Sequence, residues 1–341
     1  MTLLKPLFLV FGLVLLGLLA RDMDANEILR QIQQVGSAGI GFVIALYAVT
    51  FLADVAGWHL TFKTIPLNLR WLQRLYCVRL TGEAFNNITP LGAMGGEPVK
   101  AVLLKSRYGV NYRESSASLI LAKTAILISL VVFLGLGFLV LMPFEPIQRS
   151  YKAVAGIGLA GFATTITLFF LVQRFRLSSW LGRLVGGSAL GHRLAAGLRV
   201  IYEVEDRLVS FYTERRARFA GALALAFINW LLGVVEIYAL MQFLGHPVSF
   251  MDAWIIEAMA QLVRAGTSFI PASIGAQEGA IILACSAITG DPTLGFALSV
   301  IRRVREIVWI GAGIGLWWLY SLSENNVVQA VDRDSIPEAP L

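Results

Sequence analysis

Two segments of this chain, 181 positions apart, carry one pattern: Pro90, Glu97 and Gly109 recur as Pro271, Glu278 and Gly290 at identical spacing. The apolar run at 41–62 maps onto the run at 222–243 by the same shift. A long hydrophobic segment followed by one that Pro and Gly break and that carries a carboxylate, present twice, points to a duplicated transporter core. Hydrophobic residues make up 57 % of the 341 positions and charged residues 15 %, with a mean hydropathy of +0.71. Such a balance belongs to a polytopic membrane protein and excludes a soluble domain.

Runs long enough to cross a hydrocarbon core of about 30 Å occur at 4–20, 38–62, 115–142, 153–173, 219–243 and 292–321. The first is read as a span and not a signal peptide, because Leu19-Ala20-Arg21-Asp22 is a poor cleavage site. Cys77 and Cys285 lie far apart without metal-like spacing, so neither a disulfide framework nor a zinc site is expected. The expected fold is an all-α polytopic membrane protein with about six full spans and two broken, re-entrant hairpins, about eight membrane segments in all.

The sequence pI of 9.5 reflects topology, not nucleic-acid binding. Lys63 to Arg113 holds eight Lys/Arg and Arg174 to Arg218 holds nine, whereas the other loops hold five. Placing the two rich segments in the cytoplasm satisfies the positive-inside rule and puts both termini inside. Anionic headgroups of the inner leaflet are then natural partners. In that orientation 41–62 and 222–243 cross in opposite directions. The duplication is therefore expected to be inverted, with a site near the midplane between the halves.

Residues 1–37 read as an N-terminal span and outer loop, 38–143 as repeat one, 144–218 as a connecting span and cytoplasmic connector, and 219–322 as repeat two. In the connector, Leu177, Trp180, Leu181, Leu184 and Val185 stand at helical spacing among arginines, the pattern of an amphipathic surface helix. The polar tail at 323–341 is expected to be disordered and cytoplasmic. Within repeat one, 71–107 divides into a helix over 71–88 and another from Pro98 through Arg107. Within repeat two, 250–288 divides into 250–268 and 277–288. Each pair reads as a re-entrant hairpin; two tilted full crossings per segment are the alternative. Non-helical backbone at such depth must be buried in protein or line a wet cavity.

The densest polar group in an apolar setting contains Glu83, Asn86, Asn87, Pro90, Gly95, Gly96 and Glu97. Glycines allow close approach of a ligand to backbone, and a helix that begins near Pro98 offers free N–H groups. Glu97 is either a cap alone or a cap that also serves as a proton- or cation-binding carboxylate. Glu278, behind Pro271, Gly275 and Gln277, has the same two readings. The last span holds Arg302, Arg303, Arg305 and Glu306 far from either end. An Arg at the bilayer centre costs about 2.5–3.5 kcal/mol on insertion scales, so these residues are expected to face a cavity and have partners. Pairing of Arg302 with Glu306 at i,i+4 would leave Arg303 and Arg305 for a lipid phosphate. The alternative is an internal salt-bridge network with Glu236, Glu257 or Asp54. Lys123 lies at corresponding depth in repeat one. Glu257, Gln261 and Arg264 share one helical face, and Asp54, Trp58, Asn229, Trp230 and Glu236 are further candidates for cavity lining or interhelical hydrogen bonding.

No His-Glu-x-x-His, phosphate-binding loop or Asp-rich diphosphate motif occurs, so metal, ATP and other cofactors are not expected and no catalytic residue is assigned. Glu83-Ala84-Phe85-Asn86-Asn87-Ile88-Thr89-Pro90, Gly95-Gly96-Glu97-Pro98, Ile270-Pro271-Ala272-Ser273-Ile274-Gly275-Ala276-Gln277-Glu278-Gly279 and Arg302-Arg303-Val304-Arg305-Glu306 together resemble the lysylphosphatidylglycerol synthase transmembrane, flippase-like family. The stretch from Asn229-Trp230-Leu231-Leu232-Gly233 through Gly245-His246-Pro247-Val248-Ser249 resembles more specifically its hopanoid-biosynthesis-associated members. The resemblance covers about residues 1–322. It implies a multi-pass protein of the bacterial inner membrane that moves or delivers a phospholipid, polyprenyl-phosphate or hopanoid-type lipid. Lipid-biosynthesis enzymes are possible partners. Bifunctional members add a soluble aminoacyl-transfer domain, which the sequence through Leu341 does not show, so aminoacyl-lipid synthesis is not expected. Pro271-Ala272-Ser273 also departs from the family's usual Pro-Gly pair. The competing readings are an intramembrane transferase acting on a polyprenyl or hopanoid lipid, and a scaffold for a lipid-synthesis complex.

Overall fold

The computed structural model describes residues 24–88, 95–145, 148–175, 209–267 and 270–334, with a few positions in 14–21. The expected first span at 4–20, most of the connector and the loop around Pro90 lie outside them. Among the described residues, nine long helices follow in order: α1 (Ala25–Leu60), α2 (Leu69–Ile88), α3 (Gly96–Tyr108), α4 (Tyr112–Leu141), α5 (Arg149–Arg174), α6 (Arg216–Phe243), α7 (Phe250–Gly266), α8 (Ala276–Thr289) and α9 (Pro292–Asp334). There is no strand among the described residues. The protein is an all-α polytopic membrane protein. Among the described residues, four segments, 25–60, 112–141, 152–171 and 216–243, are long and apolar enough to cross a membrane. Helix α9 has the length but carries four charges between residues 302 and 306, in its first half. It continues beyond Ser323 to Asp334, whereas the sequence reading placed disorder from Ser323; no Pro or Gly interrupts 323–334.

Local chemistry explains the boundaries. Asp24 and Asn111 accept from backbone N–H groups in the first turns of α1 and α4, and Ser249 forms a reciprocal capping box with Asp252. Gly36, at φ 62°, breaks α1 into two pieces. The repeated glycines both stop a helix. Gly109 ends α3 at φ 67° and Gly290 ends α8 at φ 79°, each a left-handed C-cap. Helices α3 and α8 have 13 and 14 residues, which rise only about 20 Å.

Helices α1–α4 and α6–α9 form two sets with matching relations. Helix α1 packs on α6, and the pairs α2–α3, α3–α4, α4–α6 and α4–α7 recur as α7–α8, α8–α9, α9–α1 and α9–α2. Helices α1 and α6 run antiparallel, with Gly39 against Phe243 and Gly57 against Ala222. Each set lends its last helix to the other's core. Trp309, Leu316 and Tyr320 of α9 pack on Phe51, Val55 and Leu75, while Leu130, Phe133 and Leu134 of α4 join Val234, Ile237 and Ile256. Helix α5 stands outside, and its Val154, Ile157 and Leu168 are exposed, as a lipid-facing surface requires.

The first hairpin closes on glycine contacts. A Cβ on Gly96 would lie 1.8 Å from the Gly82 carbonyl oxygen, and one on Gly82 would lie 2.4 Å from Cε of Lys100. Gly96→Ala is expected to destabilise the protein by about 3 kcal/mol through overpacking against backbone. Gly109→Ala, which meets no neighbour, is expected to lose about 1–2 kcal/mol through its left-handed conformation. Thermal unfolding in detergent compares the two; equal effects would show that the hairpin does not close on Gly82.

Candidate functional site

The arginines of α9 are divided between two sites by helical geometry. Arg302 grips Glu257 with both terminal nitrogens, at 2.8 and 3.2 Å, and its Nε lies 3.6 Å from Glu236. Arg305 donates to the other Glu236 oxygen and stands 4.1 Å above the Tyr47 ring. Gln261 donates to Glu257 at 2.7 Å. All four charged groups are buried, so the network joins α6, α7 and α9 where an unpaired charge is costly.

Arg303 points the other way, into the tip of the second hairpin. It donates to Glu278 and Glu306, each at 2.6 Å, and to the Ala272 carbonyl at 2.9 Å. Ala272 and Ser273 have φ of 51° and 49°, a strained region for residues with a Cβ. The second Glu278 oxygen accepts from Gly275 N–H at 2.7 Å and caps α8. Gln277 is buried beside it.

The first hairpin is built differently. Arg79 binds Asp54 of α1 and, at 3.3 Å, Glu83 one turn along its own helix. Asn86 accepts from Gly96 N–H at 2.7 Å and donates to Glu83 at 3.3 Å. It thereby caps α3 from across the hairpin, since the N-cap residue Gly95 has no side chain to do so. Asn87 turns back to the Glu83 carbonyl. Glu97 pairs at 2.8 Å with Lys100, whose side chain is 1 % exposed.

These groups surround a cavity of about 250 Å³. Its wall is formed by Tyr47 and Asp54 of α1, Arg79, Glu83 and Asn86 of α2, Lys123 of α4, Asn229, Trp230 and Glu236 of α6, Glu257, Gln261 and Arg264 of α7, and Arg302 and Arg305 of α9. A smaller pocket of about 30 Å³ shares Asp54, Arg79 and Lys123 and adds Glu97 and Lys100. Of the residues expected from sequence, Glu83, Asn86, Lys123, Arg302 and Arg305 meet at the large cavity and Glu97 at its neighbour. Glu278 of the second hairpin, and Arg303 and Glu306 of α9 packed against it, are not among the lining residues. Arg302 takes Glu257 as its carboxylate partner, and Arg303 takes Glu306. Arg79 and Lys100 are not among the site residues expected from sequence. Their signals were local, an acid at i+4 from Arg79 and at i−3 from Lys100.

The family described as Lysylphosphatidylglycerol synthase TM region matches residues 5–315. The chain belongs to this family. A UPF0104 membrane protein of Methanothermobacter thermautotrophicus is 21 % identical over 322 residues, covering 91 % of this chain and 93 % of that protein. Another, of Pyrococcus horikoshii, is 22 % identical over 325 residues, covering 91 % and 95 %. These relatives are archaeal, so the expectation of a bacterial protein draws nothing from them. No solved structure matches the chain. As a member of the lysylphosphatidylglycerol synthase TM family, the chain is a multi-pass membrane protein of a lipid-related group.

Among the described residues, no group of three or more His, Cys, Asp and Glu is placed to hold a metal. Removing one partner of the buried network leaves a charge uncompensated. Arg302→Met is expected to lose about 3–5 kcal/mol of stability, whereas Arg302→Met with Glu257→Met recovers at least half of it. Thermal denaturation of the purified variants measures the difference; a double variant as unstable as the single would place the cost elsewhere.

Proposed function

We propose that this protein carries a lipid between membrane leaflets, with the headgroup in the large cavity and the tails in the surrounding bilayer. The observation that carries this reading is the cavity's wall. Both helix sets supply it, it is densely charged, and it includes residues next to the broken ends of α2 and α7. Polar groups at membrane depth face cavities and mark substrate paths, and broken helices gather at transporter sites.

The two sets act in this reading as an inverted repeat. The antiparallel α1 and α6, the matched packing partners and the paired glycine caps support that relation. Hairpins α2–α3 and α7–α8 then re-enter from opposite faces, with both termini cytoplasmic and the protein in the cytoplasmic membrane. The sequence has no nucleotide-binding motif, so transport draws on an ion gradient or runs downhill. The protein performs no covalent chemistry on the lipid, and enzymes that make or consume the lipid are its natural partners.

Leaflet exchange of headgroup-labelled lipids in proteoliposomes tests the proposal. Thr50→Trp and Asn229→Trp place bulk in the cavity from α1 and α6. Each is expected to reduce exchange at least tenfold with the protein still folded and the recovered lipid unchanged in mass. Undiminished exchange in both variants would remove the cavity from the path. A mass shift without exchange would instead assign a transferase.

A further inference from the structure

The charges that line the cavity are unevenly used. Asp54 and Glu83 are held by Arg79, and Glu236 and Glu257 by Arg302 and Arg305. Every carboxylate on the wall therefore has a cation. Two cations have no comparable partner. Lys123 is exposed on the cavity side of α4 and has no carboxylate within ion-pairing distance among the described residues. Arg264, its side chain 40 % exposed, reaches only the edge of Glu306 at 4.0 Å. Five cations thus face four carboxylates on the wall. The neighbouring pocket adds the Glu97–Lys100 pair. Behind the wall Glu306 reaches Arg264 and Arg305 at 4.0 and 3.8 Å while it pairs with Arg303, so the unspent positive charge is local to Lys123 and the exposed side of Arg264.

Lys123 lies about 17 Å along α4 from its start, inside an apolar segment where a bare ammonium needs a partner. It enters the cavity from the first helix set, and Arg264 enters from the second. A guanidinium binds two oxygens of a phosphoryl group at once, and an ammonium acts as a point charge from any side. We propose that Lys123 and Arg264 form an anion site that binds one phosphodiester, so that the preferred headgroup carries a single net negative charge. The lipid identity rests on the transport reading above; the anion site does not. A zwitterionic or cationic headgroup would bring its own positive group beside Lys123 and Arg264, which is unfavourable in a low-dielectric site. Free inorganic phosphate offers the same chemistry and is the other source to distinguish.

The test uses the full chain. In proteoliposomes, spin-labelled phosphatidylglycerol is expected to exchange at least tenfold faster than phosphatidylcholine. Lys123→Gln and Arg264→Gln should each lower that exchange at least tenfold, and Lys123→Arg should keep most of it. Neither side chain holds a tight ion pair, so these variants should fold. Equal exchange of both lipids, indifferent to the substitutions, overturns the anion site and leaves transport standing. Exchange of neither lipid counts against transport, and binding then decides the site. For binding, purified protein is titrated with phosphatidylglycerol or inorganic phosphate and followed by thermal shift and native mass spectrometry. A shift with phosphatidylglycerol that Lys123→Gln abolishes supports the site. A shift with phosphate alone, lost in the same variant, assigns it to a free anion. No Lys123-dependent response to either overturns it.

Discussion

The network of Glu236, Glu257, Arg302 and Arg305 fixes how α6, α7 and α9 can meet. Two guanidiniums about three to four turns into a long helix have to find carboxylates before that stretch can be buried, and the two that take them come from different helices. Satisfying them sets the rotation of α9 to within a fraction of a turn. Buried ion pairs are weak contributors to net stability, since desolvation offsets most of their attraction. Their effect here is directional: apolar helices can slide past one another with small loss, and this lattice admits one register. With α9 fixed, Tyr47 lies beneath Arg305 and the α1 wall of the cavity follows.

The two hairpins reach similar shapes by different means. In the second, Arg303 ties Glu278, Glu306 and the Ala272 carbonyl together, so side chains of α9 hold the tip. The left-handed Ala272 and Ser273 are the strained part of this tip, and a charged donor on the Ala272 carbonyl helps offset that strain. In the first, Glu97 pairs with Lys100 within its own helix, and closure comes from Gly82 and Gly96 in backbone contact, with Asn86 as a cap lent across the gap. Among the described residues, the second tip is bound to a neighbouring helix, whereas the helix ends of the first are bound to each other.

Much of the fold was legible because helix signals are local. Pro98 at a first turn, Gly109 and Gly290 as C-caps, and the apolar runs place α3, α4, α6, α8 and the start of α9 within a few residues. The hairpin ends near Ile88 and Gly266 follow from the Pro- and Gly-rich stretches after them. The site was legible as composition and not as pairing. Arg302 has Glu306 one turn away in sequence, yet its partners are 45 and 66 positions off, on α7 and α6. Nothing in helical spacing selects a partner on another helix when several acids are available. Arg79 and Lys100 were hidden for the opposite reason. They sit in the stretch from Lys63 to Arg113 whose eight basic residues read together as loop charge, although one is buried and the other lines the cavity. Setting both aside leaves six, still an excess over the other loops, so the orientation argument keeps its sign.

Charge counting over the wall separates architecture from recognition. Arg302, Arg305 and Arg79 are engaged with carboxylates of this chain, and a ligand could claim Arg302 or Arg305 only by breaking buried pairs, at about 3–5 kcal/mol each. Among the described residues Lys123 has no carboxylate within ion-pairing distance and Arg264 only the 4.0 Å contact with Glu306, so an incoming anion has least to displace there. The arginine motif of α9 therefore shapes the cavity, while two loosely held cations, one on each helix set, are the groups left to recognise what enters it.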